Sequence, residues 1–213
     1  MFELTGVKYK EILHIPELTI EENRITTLMG PSGSGKSTLL KMLNKLYSPT
    51  DGHIKYNGTD LSKIDSVLHR RQVAMLSQNA VMFPGTVRDN LTAGLRFQKK
   101  DVPSEEKLLA ALENVKLKKD LNQHAQSLSG GEKQRLALSR VLLLDPSVYL
   151  LDEPSSALDE ETAESLIHML AGHVRKTGKT LVLVTHAKAL SDRYSDDVIE
   201  IAGGRCLRKE RRQ

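Results

Sequence analysis

Short apolar runs recur along the chain at Phe2–Tyr9, Leu13–Ile20, Ile25–Met29, Val73–Leu76, Val148–Leu151, Leu181–Val184 and Val198–Ile201. Their alternating or unbroken apolar character predicts strands. The runs Val148-Tyr-Leu-Leu151 and Leu181-Val-Leu-Val184 have no polar alternation, which parallel strands buried on both faces require. Helical spacing lies between the strands. Leu39, Met42, Leu43 and Leu46 form one apolar stripe, and Leu166, Met169, Leu170 and Val174 another. Strand and helix alternate at both ends of the chain, which argues for an α/β core. Residues from about 85 to 145 differ, with helical patterns such as Ser104–Val115 and no convincing strand. We read 1–84 and 146–213 as the core of a single domain and the stretch between them as an inserted helical lobe.

The length of 213 residues suits one large domain, and 27% charged with 39% hydrophobic residues is an ordinary globular composition. The longest apolar run is Leu108–Leu112, far short of the roughly 20 residues that a membrane-spanning helix needs. The opening residues mix acids and bases and predict no secretory or transit segment. Cys206 is the sole cysteine, which leaves no internal disulfide and suits the cytosol. The net charge of +4 resides in the tail from Arg205, where Arg205, Arg208, Lys209, Arg211 and Arg212 face only Glu210. The preceding residues are formally neutral, so no nucleic-acid partner is expected. The tail itself reads as a solvated terminus, or as a patch attracted to an acidic membrane surface. Asp196 and Asp197 read as a solvated turn rather than a metal site.

Gly30-Pro31-Ser32-Gly33-Ser34-Gly35-Lys36-Ser37, followed by Thr38, fits G-x-x-x-x-G-K-[ST] between an apolar strand and an amphipathic helix. Its backbone N–H groups and the helix start make an anion cradle. Lys36 would reach the β- and γ-phosphates of a nucleotide, and the Ser37 hydroxyl would bind Mg²⁺. A second strand ends in Asp152-Glu153-Pro154. Ligands of open α/β sheets sit outside the carboxyl ends of parallel strands. There Asp152 would hold Mg²⁺, mainly through water, and Glu153 would act as general base on the attacking water. Ser129 followed by Gly130, Gly131 and Glu132 is a capping box opening a helix through Leu136, Leu138 and Leu142. It is also an anion site open to close approach.

Leu128-Ser-Gly-Gly-Glu-Lys-Gln-Arg135 resembles the signature of the ATP-binding-cassette family, and the order of motifs from the Tyr9 region to His186 matches. The resemblance implies a RecA-like phosphate-loop core, an N-terminal antiparallel β subdomain and an inserted α-helical subdomain. It implies that ATP and Mg²⁺ are bound and that ATP is hydrolysed. Ser129, Gly130 and Gly131 would reach across a head-to-tail homodimer to the γ-phosphate on the partner's Lys36. The commonest family form has Gln where Glu132 stands. Gln78 resembles the glutamine that senses Mg²⁺ and links to the transport partner. The run ending in Asp159 resembles the loop between the two active sites, and Asp159 also fits a helix N-cap. His186 resembles the switch histidine that contacts the γ-phosphate. Tyr9 fits either an aromatic stacked on adenine or a plain strand residue. A separately encoded membrane permease is implied, with this subunit cytoplasmic and peripheral on the inner face of a bacterial plasma membrane.

The run Pro84-Gly-Thr-Val-Arg-Asp-Asn-Leu91 after Phe83 looks more like export-type cassettes than nutrient importers. It resembles the Fet-type group of iron or metal exporters, which is also related to plant aluminium-tolerance transporters. In the apolar run Ala80–Phe83, Val81, Met82 and Phe83 would line a groove for a short permease helix. The alternative is a mechanical or regulatory cassette ATPase without a transport role. The single phosphate loop, single signature and absent heptad run count against it.

Overall fold

The computed structural model describes residues 1–212. In chain order its elements are β1 (Phe2–Tyr9), β2 (Leu13–Ile20), β3 (Ile25–Met29), α1 (Lys36–Leu43), β4 (Asp51–Tyr56) and β5 (Thr59–Asp60). Next come α2 (Ser66–Gln72), β6 (Val73–Leu76), α3 (Val87–Phe97), α4 (Glu105–Asn114), α5 (Gly130–Leu144) and β7 (Val148–Asp152). The chain continues through α6 (Glu160–Thr177), β8 (Thr180–Val184), α7 (Lys188–Tyr194), β9 (Asp197–Ala202) and β10 (Arg205–Arg211). The strands form an antiparallel sheet of order β2-β1-β4-β5 and a six-stranded sheet of order β10-β9-β3-β8-β7-β6. In the larger sheet β9, β3, β8, β7 and β6 run parallel, and β10 is antiparallel to β9. The predicted α/β class, with an N-terminal antiparallel sheet and added helices, is therefore the observed one.

The apolar runs without alternation are explained by two cores, one on each face of the large sheet. Tyr149 and Leu151 of β7, with Leu181 and Leu183 of β8, face α4, α5 and α6. Their neighbours Val148, Leu150, Val182 and Val184 face α1 and the antiparallel sheet. Successive side chains of a strand point to opposite faces. A strand covered on both sides must therefore be apolar throughout.

Helices α3, α4 and α5 lie between β6 and β7 in sequence. The start of α3 is fixed by a capping box in which Thr86 and Asp89 exchange hydrogen bonds. Fully buried Asn90 ties this start to the preceding loop. Its carboxamide accepts from Phe83 N at 2.8 Å and donates to Phe83 O and Thr86 O at 3.0 Å each. The Thr-Val-Arg-Asp-Asn run thus has a local folding role that is independent of transport direction.

Three expectations are corrected. The basic tail over Arg205–Arg211 is an ordered edge strand rather than a loose terminus, with its side chains mostly exposed: Lys209 Nζ donates to Thr19 O at 2.9 Å and Arg211 pairs with Glu21 at 3.1 Å. Asp196 and Asp197 are not a solvated turn. Buried Asp197 receives Arg24 Nε at 2.6 Å, and Asp196 Oδ2 accepts the Ile25 amide at 2.7 Å. Leu46 leaves the α1 stripe because the helix ends at Leu43, and it is exposed. No helix among the described residues is long and apolar enough to cross a membrane.

Candidate functional site

Parallel pairing brings the carboxyl ends of β3, β8, β7 and β6 to one edge. The register sets Leu28 beside Val184 and Asp152 beside Val184. The loop Gly30–Gly35 leaves β3 and opens α1 at Lys36. Gly30 and Gly35 are required by close packing as well as by conformation. A Cβ on Gly30 (φ +140°) would overlap Ile201 O, and one on Gly35 (φ +102°) would lie 2.7 Å from Leu13 Cδ1.

Within this loop Lys36 is buried and its ammonium is enclosed by acceptors. Lys36 Nζ donates to Gly30 O and Pro31 O at 2.8 Å each and to Ser34 Oγ at 3.3 Å. Burial pushes its pKa down, while the Glu153 and Asp152 carboxylates push it up. Asp152 is also buried, and its Oδ1 has no hydrogen-bond partner. Desolvation raises its pKa, with the Ser37 hydroxyl acting in the opposite sense. An unpartnered buried carboxylate oxygen costs free energy unless a donor or cation meets it. Mg²⁺ characteristically takes one or two carboxylates together with substrate phosphates. The Asp152 and Ser37 oxygens beside a phosphate loop therefore fit that cation.

Glu153 follows directly, in the left-handed region at φ +51°. For a residue with a Cβ this costs about 1–2 kcal/mol. The conformation is held by Glu153 N donating to Val184 O at 3.1 Å and by Ser156 N and Oγ donating to Glu153 O at 3.3 and 3.1 Å. It aims the carboxylate between two partners. Gln78 Nε2 donates to Glu153 Oε2 at 3.1 Å, and His186 Nε2 lies 3.0 Å from Glu153 Oε1. Gln78 comes from the segment after β6 and His186 from the segment after β8. Two residues far apart in the sequence thus share the carboxylate of a third.

The other quoted residues lie around this cluster or apart from it. Pro31, Ser32 and Gly33 are exposed at the loop crest, and Thr38 is half-buried in α1. Ser129 caps α5, accepting from Glu132 N at 3.3 Å, while Ser129 N donates to Glu132 Oε2 at 2.9 Å. Lys119, with the Ser129 amide, holds the Glu132 carboxyl down at about 2, so the glutamate at this position is charged and paired. Among the described residues no hydrogen bond joins Ser129, Gly130 or Gly131 to the phosphate loop. A Cβ at Gly131 would instead lie 3.2 Å from Ala157 O, in the segment leading to Asp159. Asp159 caps α6 by accepting Thr162 N at 2.9 Å. Tyr9 stacks on Tyr47 with ring centroids 5.1 Å apart and planes 4° from parallel.

Two contributors were missed in the sequence. Tyr47 lies past the end of α1, where the helical pattern gives no signal. Arg140 looks like a solvated position on α5, yet its guanidinium lies 5.1 Å from the Phe83 ring centroid and donates to Val81 O at 2.9 Å.

The sequence matches the family model described as ABC transporter over residues 13–156. The chain belongs to the ABC transporter family. It is 35% identical over 212 residues to the methionine import ATP-binding protein MetN of Haemophilus influenzae, covering 97% of this chain and 61% of that protein. It is 38% identical over 196 residues to Protein STAR1 of Oryza sativa, covering 92% of this chain and 56% of that one. The chain therefore spans somewhat over half the length of these ABC relatives. Among solved structures it resembles the ATP-binding cassette MJ0796, a dimer in a post-hydrolysis state bound to ADP and Pi. The TM-score is 0.87 at 30% identity, over 99% of this chain and 98% of that one.

Replacing Asp152 by Asn keeps the shape of this ABC site and removes the buried charge. Without Mg²⁺, Asp152→Asn should gain about 1 kcal/mol, or about 2–4 °C in melting temperature. Added Mg²⁺ with ATP should then stabilise the parent more than the variant, which keeps Lys36 and the loop but loses a cation ligand. Calorimetric melting reads both effects, and a variant that melts lower without Mg²⁺ would show that Asp152 is not an unpaired charge.

Proposed function

We propose that this chain is the ATP-binding and ATP-hydrolysing subunit of an ABC transporter, working with a separate integral-membrane permease. The observation that carries the reading is the meeting of Gln78 and His186 on the two oxygens of Glu153, one residue beyond buried Asp152. A carboxylate oriented from both sides at the carboxyl edge of a parallel sheet is placed to accept a proton from water. Glu153 is the proposed base, and His186 and Gln78 hold its orientation. The backbone from Gly30 to Gly35, with Lys36 and the start of α1 at Ser37 and Thr38, would cradle the phosphates. Lys36 would exchange its carbonyl partners for phosphate oxygens. Ser37, Asp152 and Gln78 would hold Mg²⁺, which when bound neutralises charge on the β- and γ-oxygens. Tyr9 would offer its ring to adenine.

Assembly follows from the second helix start. Ser129, Gly130 and Gly131 present capped, partly exposed amides that make no hydrogen bond to the chain's own phosphate loop. We propose that they meet the γ-phosphate held by a second copy in a head-to-tail dimer, with the segment ending at Asp159 passing between the two sites. The dimeric MJ0796 cassette supports this arrangement.

The permease contact is the groove beside Phe83, with a volume of about 360 Å³. Val81, Phe83, Phe97 and Leu144 line it with Arg70 and Arg140, and Val81 is 63% exposed. We propose that a short cytoplasmic helix of the permease seats here and is coupled through Gln78. The subunit would then be peripheral on the inner face of the plasma membrane. Export, of iron or another metal, is the finer reading. It rests on the resemblance of the Gly85–Leu91 run, while the import name of MetN weighs towards the opposite direction.

Glu153→Gln should bind ATP yet lose about 10²–10⁴-fold in turnover, and it should accumulate as a dimer with ATP and Mg²⁺. Phosphate release and light scattering measure the two effects. Turnover at the parent rate would remove Glu153 as the base. In contrast, Val81→Glu should keep the free subunit's ATP hydrolysis and lose co-purification with the permease from membranes. Retained permease binding would remove the groove assignment.

A further inference from the structure

The turn between β1 and β2, Lys10–Ile12, is wedged between two glycines that come from opposite ends of the sequence. Ile12 N donates to Tyr9 O at 3.0 Å, so Ile12 is tied to the residue that carries the Tyr9–Tyr47 stack. Ile12 O lies 3.3 Å from where a Cβ on Gly35 would stand, directly before Lys36. The same carbonyl oxygen would be overlapped by a Cβ on Gly204, which is buried at φ +73° in the turn between β9 and β10. Gly204 O in turn accepts His14 N at 2.7 Å. The hairpin of β9 and β10 is fastened to β2 further along, where Lys209 Nζ donates to Thr19 O at 2.9 Å and Arg211 pairs with Glu21 at 3.1 Å.

We infer that the β9–β10 turn is the outer wall of the base-binding side of the nucleotide site, with Gly204 as its positioning residue. The inference rests on the nucleotide reading above and deepens it. Phosphates seated at the start of α1 leave the sugar and base to extend past Gly35, towards the turn that Ile12 closes. The stacked Tyr9 and Tyr47 rings flank that turn. Tyr47 is exposed and Tyr9 half-buried, so aromatic surface is presented there. Because Ile12 O is held from both sides, any side chain at position 204 must push the turn towards Gly35 and shift Tyr9 with it. The glycine therefore sets where the base can stack, without touching it. The phosphate loop meets the turn only at Gly35; its far end rests on β9, where Gly30 meets Ile201 O, and there Gly30 O and Pro31 O hold the Lys36 ammonium.

The neighbouring glycine supplies an internal control. Gly203 also has positive φ, +53°, but a Cβ there would meet nothing within 4 Å. Gly203→Ala and Gly204→Ala thus share backbone strain in the same turn, and only the latter displaces Ile12. Calorimetric titration of the full chain with ATP and with inorganic tripolyphosphate, each with Mg²⁺, separates base from phosphate recognition. Base stacking on an aromatic is worth enough that Gly204→Ala should bind ATP about tenfold more weakly than the parent. Its tripolyphosphate binding should stay within about twofold, and Gly203→Ala should stay within about twofold for both ligands. His14→Pro, which replaces the donor to Gly204 O by a ring carbon near the start of β2, should give the same split and serves if Gly204→Ala does not fold. Equal ATP binding by the two glycine variants would overturn the inference. So would a parallel loss of ATP and tripolyphosphate in Gly204→Ala, which would place the support on the phosphates. A parent chain that binds tripolyphosphate but shows no gain from the adenosine moiety would overturn it too. A parent that binds neither would instead remove the nucleotide reading itself.

Discussion

The parallel pairing of β3, β8, β7 and β6 is the constraint from which the site follows. Parallel strands deliver their carboxyl ends to a single edge, and four loops with no sequence proximity leave from that edge. One becomes the phosphate loop, one carries Asp152 and Glu153, one carries His186 and one carries Gln78. The pairing requires every one of these strands to be covered on both faces, and two separate cores cover them. An antiparallel arrangement of the same segments would send two of the four loops to the far edge, and no shared carboxylate could form.

At that edge the fold tolerates arrangements that a core would reject. Lys36 and Asp152 are both buried, and each is pushed by desolvation towards its neutral form. Glu153 holds a left-handed backbone although it is not glycine. Strain and buried charge of this kind persist where the surroundings over-determine them. Here the surroundings are the Val184 carbonyl, the Ser156 donors and the acceptors of the loop around Lys36. The cost falls on ground already stabilised by the sheet, and the result is a set of charged groups fixed in position before a ligand arrives.

Much of this was legible in the sequence, because the relevant signals are local. A glycine-rich turn between an apolar strand and an amphipathic helix, an acidic pair closing an apolar strand, and a capping box each sit within eight residues. The strands β4 and β10 were not legible, since Asp51–Tyr56 and Arg205–Arg211 are mostly polar and are placed by their pairing partners, with only Ile54 and Tyr56 of β4 buried in the core. Asp197 looked solvated because its partner Arg24 lies far away in sequence. Asn90 was visible as part of a run, but its work in tying Phe83 to α3 depends on a loop path that no periodicity encodes. Tyr47 and Gly204 carried no signal for the same reason: each matters through a contact that exists only after the antiparallel sheet has docked on the core.

The central claim is that this edge holds the phosphates of a nucleotide and that Lys36 is the charge that does so. Calorimetric titration of the chain with ATP and Mg²⁺, set beside Lys36→Ala, tests it most directly. One nucleotide per chain is expected for the parent, with binding weakened at least about tenfold in the variant, the loss of a charge-assisted contact to phosphate. Undiminished binding by Lys36→Ala would contradict the assignment of the site.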